Sequence, residues 1–159
     1  MKTLIAYFSY GGNAALVAGI LKNTLNAETI EIRLLNDKKR FGPGKFLWAL
    51  SQVLGNKKPA VKPCAVNFDN YDLIILGAPV WADHPSPVLM SFLDQAKLTG
   101  KKLGLYICRA TETSQAMEKL RQALAGNTIA GEIEFISPKK SDPGDLKQKV
   151  EQWAKTLTA

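Results

Sequence analysis

Three short runs of this 159-residue chain, residues 3–8, 73–77 and 103–108, are apolar at successive positions. An extended segment with that pattern is buried on both faces, which places it in a parallel sheet covered by helices on each side. Two further runs have strand length, residues 29–35 and 129–136, and the second alternates as an edge strand does. Helical spacing fills the intervals. Val17, Ile20, Leu21 and Thr24 share one face of residues 14–25, and Leu89, Phe92, Leu93 and Ala96 follow Pro87 in the same way. Met117, Leu120 and Leu124 mark a helix over 113–124. The last helix has Ser141 or Asp142 as cap, Pro143 in its first turn, and a stripe of Leu146, Val150, Trp153 and Leu157. Alternating strands and helices joined by right-handed crossovers predict a doubly wound, five-stranded parallel α/β sheet with helices on both faces. The length suits a single domain over residues 1–159.

Composition removes several classes of function. Cys64 and Cys108 form neither a disulfide framework nor a metal-ligand spacing, and they read as reduced thiols of a cytoplasmic protein. The apolar start of the chain is too short for a secretion signal or a membrane span. Of a net charge of +7, residues 37–62 supply +6, from Lys38, Lys39, Arg40, Lys45, Lys57, Lys58 and Lys62 against Asp37. Such a basic segment attracts acidic proteins or anionic substrates. It lacks a nucleic-acid motif or an aromatic stacking platform, so no nucleic-acid partner is expected. Within residues 36–63 an extra helix is predicted at 45–54. Phe46, Leu47, Leu50, Val53 and Leu54 share one of its faces, and Trp48 falls opposite, placed to cap a site, meet a partner or pack beneath a loop.

Ligands of an open parallel sheet bind beyond the carboxyl ends of its strands, where strand order reverses. The first such loop, Ser9-Tyr10-Gly11-Gly12-Asn13-Ala14, opens a helix. Its glycines let the backbone approach a ligand, and free N–H groups at a helix start attract an anion, so this loop is expected to hold a phosphate. Neither the G-x-G-x-x-G spacing nor a G-K-[ST] ending is present. The second loop, Gly77-Ala78-Pro79-Val80-Trp81, delivers a rim tryptophan suited to stacking on a planar ring. The third is Cys108-Arg109-Ala110-Thr111-Glu112-Thr113. His84, the one histidine, has only the adjacent Asp83 near it in sequence, poor geometry for a catalytic triad.

The sequence Tyr7-Phe8-Ser9 followed by Gly12-Asn13, the Gly-x-Pro-Val-Trp turn at 77–81, and the run from Gly100 to Tyr106 together resemble the flavodoxin family over essentially the whole chain. The resemblance implies a flavodoxin-like three-layer sandwich that binds FMN non-covalently. Ser9, Gly11, Gly12, Asn13 and Ala14 would hold the phosphate, and Pro79, Val80, Trp81 and Ala82 the isoalloxazine ring. Cys108, Arg109, Ala110, Thr111 and Thr113 would meet the ring's pyrimidine edge. Flavodoxins usually carry threonines where Gly11 and Ala14 stand, so weakened FMN binding is expected. Arg109 replaces the usual small residue; it is either a guanidinium beside the ring, which would raise the reduction potential, or a solvated loop cation. The implied function is electron transfer to a redox partner protein docked on the basic 38–62 region. One alternative is a small NAD(P)H-dependent quinone or flavin reductase that binds nicotinamide transiently. Another, of a different class, is a non-redox binder that keeps the fold with a weakened flavin site.

Overall fold

The computed structural model describes residues 1–36, 44–111 and 114–159, with Phe46 described by its backbone alone. Asp37, Lys38, Lys39, Arg40, Glu112 and Thr113, which entered the expectations above, lie outside the described residues. The chain runs β1 (Thr3–Tyr7), α1 (Asn13–Leu25), β2 (Glu28–Glu31), α2 (Lys45–Leu54) and β3 (Leu73–Trp81). It continues through β4 (His84–Pro85), α3 (Pro87–Ala96), β5 (Lys102–Arg109), α4 (Ala116–Ala123), β6 (Thr128–Ile136) and α5 (Pro143–Thr158). Five strands form a parallel sheet in the order β2-β1-β3-β5-β6, and β4 folds back antiparallel on the end of β3. The doubly wound sheet expected from the alternation is therefore present, with strand order reversing between β1 and β3.

Alternation along each strand sorts the core into two layers. Ile5, Leu73, Ile75 and Tyr106 face Val17 and Leu21 of α1 and Val150 and Trp153 of α5. Ala6, Ile74, Leu76 and Leu105 face Val88 and Phe92 of α3 and Met117 and Leu120 of α4. Helix starts follow local chemistry. Ser86 accepts the Val88 N–H at 3.2 Å, and Asp142 accepts those of Gly144 and Asp145 at 2.8 and 3.1 Å. Pro87 and Pro143 stand just inside those caps.

Two elements differ from expectation. The run 29–35 stays beside β1 only through Ile32, whose N–H reaches the Tyr7 carbonyl at 2.7 Å. Leu34 then bridges Val61 antiparallel, because the chain returning from α2 passes alongside. In contrast, β3 runs on to Trp81, four residues past the expected end at Gly77, because the β4 hairpin pairs with its extension.

At the centre, Gly77 and Tyr106 are partners across β3 and β5. A Cβ on Gly77 would lie 1.9 Å from Tyr106 Cζ, so the ring occupies the space a side chain would need. The fully buried Tyr106 hydroxyl donates to the Ala14 carbonyl at 2.9 Å, and burial pushes its pKa well above the ordinary value. Gly77→Ala is accordingly expected to destabilise the protein by about 1–3 kcal/mol, the usual range for overpacking. Equilibrium urea unfolding measures this, and an unchanged midpoint would refute the close contact.

Candidate functional site

The loops after β1, β3 and β5 converge, and α2 closes one side of the space between them. The first loop turns through Gly12, whose φ of +90° belongs to the left-handed region that glycine enters without penalty. Ser9 Oγ accepts the Ala15 N–H at 3.1 Å, and the Leu16 N–H reaches the Gly12 carbonyl at 3.0 Å. The N–H groups of Asn13 and Ala14 then have no protein acceptor among the described residues, and they sit at the positive end of α1. Nothing lies within 4 Å of where a Gly11 side chain would begin.

One contributor to this loop had no sequence signal. Lys139, from the turn after β6, donates its backbone N–H to Asn13 Oδ1 at 2.9 Å and its ammonium to the Gly11 carbonyl at 3.1 Å. Its side chain passes 3.4 Å from the Cβ position of Gly12. The contact spans more than 120 residues of sequence, and only a lysine three residues past the last strand foreshadowed it. The Ala14 side chain is buried in the core layer that α1 shares with the sheet.

Trp81 is half-buried at the rim and gripped edge-on by Phe8 at 5.8 Å and Trp48 at 6.1 Å between ring centroids. Tyr10 approaches at 5.0 Å and donates its hydroxyl to the Lys45 carbonyl at 2.6 Å, which ties the first loop to α2. Trp48 therefore turns toward the site. Packing one indole against three aromatic rings orients α2, and the leucines on its other side stay exposed.

These elements bound a hollow of about 360 Å³, whose walls include Tyr10, Gly11, Asn13, Trp81, Cys108 and Arg109. Pro79, Val80, Ala82 and Ala110 also line it, so nine of the predicted site residues share one space: Gly11, Asn13, Pro79, Val80, Trp81, Ala82, Cys108, Arg109 and Ala110. It continues into a second hollow of about 580 Å³ bounded by Val80, Ala82, Asp83, Arg109, Ala110 and Thr111. Ser9, Gly12 and Ala14 belong to the first loop and do not line either hollow. Thr113 lies outside the described residues.

Between the two hollows the chain turns in two residues, Ala82 and Asp83, with φ of 44° and 63°. This is the primed hairpin geometry that asparagine and glycine favour, so its occupants carry strain beside the site. His84, just beyond, bonds through Nδ1 to the Ala82 carbonyl at 2.7 Å, and the Lys119 ammonium faces its Nε2 at 3.2 Å. Assigned from that network, the proton is on Nδ1 and Nε2 accepts from Lys119. The imidazole then has no N–H directed at the hollow.

Arg109 enters the wall with its charge matched. Its guanidinium bonds Glu134 of β6 and the Thr111 carbonyl, with 13% of its side chain exposed. Cys108 is also in the wall, and burial pushes its thiol from 9.0 up to about 12. Among the described residues, no group of histidine, cysteine and carboxylate side chains could hold a metal ion. What the site offers is the positive end of α1 with a lysine beside it, an aromatic wall, and a neighbouring open space.

A family model described as NADPH-dependent FMN reductase matches residues 2–142. Among solved structures, the chain is similar to a Lactobacillus acidophilus flavoprotein in complex with FMN, at 23% identity and a TM-score of 0.74, over 96% of this chain and 98% of that one. It is similar to oxidised flavodoxin 2 from Bacillus cereus at 20% identity and 0.61, over 99% and 98%. For the two-electron reduced flavodoxin of Megasphaera elsdenii the values are 19% and 0.59, over 97% and 99%. At these identities the solved structures speak for the fold.

The Cys108 environment has a direct chemical consequence. Because its thiol stays protonated far above neutrality, iodoacetamide at about pH 8 should modify half-buried Cys64 and leave Cys108 intact until the protein is unfolded. Peptide mass mapping after a timed reaction reads this. Equal rates at the two positions would contradict the burial.

Proposed function

The chain belongs to the NADPH-dependent FMN reductase family, and from that premise we propose that residues 1–159 act as one domain that binds FMN and oxidises NAD(P)H, passing electrons to a quinone or flavin. The observation that carries the reading is the pair of joined hollows at the reversal of strand order, one walled by Trp81 with an anion loop at its end, the other open beside it. The donors present suit FMN. The N–H groups of Asn13 and Ala14 and the Lys139 ammonium supply a phosphate cradle, and Gly11 leaves it sterically open. Lys139 brings a charge to the Gly11 carbonyl and the Gly12 side of the loop, so the loop has a cationic donor besides the hydroxyl absent at Gly11. Trp81 and Pro79 to Ala82 would flank the ring, and Cys108 to Thr111 its edge.

Bound FMN supplies the redox chemistry, accepting electrons from a nicotinamide and releasing them to an acceptor. The protein's residues bind and orient. Trp81, fixed by Phe8, Tyr10 and Trp48, offers a preorganised stacking face. The Arg109 guanidinium, matched by Glu134, positions the third loop and contributes little net charge to the ring. The second hollow, bounded by Val80, Asp83 and Thr111, would admit a nicotinamide or acceptor beside the flavin. An electron carrier docked to a protein partner is a second reading, supported by residues 38–68, which contain seven cations and no acid.

Two measurements test these assignments. FMN should quench tryptophan fluorescence saturably, and Lys139→Met should weaken FMN binding about tenfold while leaving riboflavin, which lacks the phosphate, unchanged. Equal losses for both ligands would remove Lys139 from the phosphate. Second, the FMN-loaded protein should oxidise NADPH with multiple turnovers when a soluble quinone is added. Tight FMN binding without such turnover would favour the carrier, and failure to bind FMN at all would end the flavin reading.

A further inference from the structure

The helix α2 is anchored by its less apolar side. Ala49 and Gln52 are buried, Trp48 packs on Trp81, and Tyr10 bonds the Lys45 carbonyl. Opposite them Leu47, Leu50 and Leu54, at i, i+3 and i+7, form a row with 73%, 43% and 75% exposure. Burying three leucines is the strongest drive such a short helix has, and here the aromatic grip on Trp48 prevents it from rolling inward. Ser51, the polar residue amid this row, donates its hydroxyl back to the Trp48 carbonyl at 2.7 Å. The exposed face therefore offers apolar contact and no directed hydrogen bond from Ser51.

This row lies in a segment that is cationic in sequence. Lys57, Lys58 and Lys62 are exposed beyond its end, and Lys38, Lys39 and Arg40 precede it in sequence, with no acid anywhere in residues 38–68. Lys58 is paired with Asp94 of α3 at 2.6 Å. A second copy docked symmetrically on this face would oppose like charges. A row of exposed leucines in a segment whose charges are all positive, without directed bonding from Ser51, matches the interface of an anionic bilayer. No helix among the described residues is long and apolar enough to cross a membrane, so the contact is peripheral.

We propose that α2 seats the protein on anionic lipid surfaces through Leu47, Leu50 and Leu54, with the flanking lysines on the headgroups. Leu50 also lines the 360 Å³ hollow. The docked face thus brings the mouth of that hollow to the bilayer, within reach of an acceptor dissolved in it. The docking itself does not depend on the flavin assignment.

The test is sedimentation of the full chain with vesicles at low salt, read from protein in the pellet and independent of flavin. Vesicles of phosphatidylglycerol mixed with phosphatidylcholine should bind the protein, and pure phosphatidylcholine should not. Leu47→Gln with Leu54→Gln, both exposed positions outside the hollow, should reduce partitioning at least about tenfold. The variant's thermal unfolding should match the parent's. Lys57→Gln with Lys62→Gln should weaken binding roughly fivefold per cation removed. No binding to anionic vesicles would overturn the proposal. So would undiminished binding of the leucine variant, which would mean charge attraction alone. Leucine-dependent self-association in analytical ultracentrifugation, without vesicle binding, would reassign the face to a second copy.

Discussion

The ring of Tyr106 lying across Gly77 is the contact on which the site depends. It joins the two central strands where a side chain on either would ordinarily separate them, and its hydroxyl reaches Ala14 in the first turn of α1. A buried phenol needs a partner, since leaving one unmet costs about 1–3 kcal/mol, and here the partner is a backbone carbonyl in the first turn of α1. The start of α1 is thereby referenced to β5, two strands away from β1. The third loop leaves that same strand two residues later, so the loops for both ends of a ligand are held by one rigid element.

Much of this was legible because the local rules agree with one another. Three runs apolar on both faces demanded central parallel strands, and the order of elements then placed the working loops without further information. The aromatic Trp81 was readable for a different reason: a large ring at a strand end has nowhere to be buried by its own element. Four other features were hidden, each for a physical reason. The Ala82-Asp83 turn carries no Asn-Gly signal, because pairing of Val80 with Pro85 and Trp81 with His84 overrides the local preference. Lys139 becomes a neighbour of Gly11 only through closure of the whole sheet. The orientation of α2 was ambiguous since both its faces are apolar, and aromatic packing decided it against the leucines. The fate of the Ala14 side chain depended on the phase of α1, which a turn containing two glycines does not define.

Charge in the site is arranged unequally. Arg109 looked in the sequence like the cation beside the ring, yet Glu134 on the neighbouring strand matches it, and a close pair of opposite charges has a short-ranged field. Lys139 has no such partner among the described residues and touches only backbone acceptors and Asn13. Under the proposed placement of FMN, Lys139 puts its charge at the phosphate end of the hollow, and the matched Arg109–Glu134 pair adds little net charge at the ring end. A low-potential carrier benefits from negative charge around its ring, and a strongly oxidising centre from positive charge. A matched ion pair at the ring end, beside an open second hollow, suits a centre that takes a hydride from one small molecule and gives electrons to another in turn, since the pair favours neither redox state strongly. On this reasoning the matched Arg109–Glu134 pair supports the reductase reading from electrostatics, independently of the second hollow's shape.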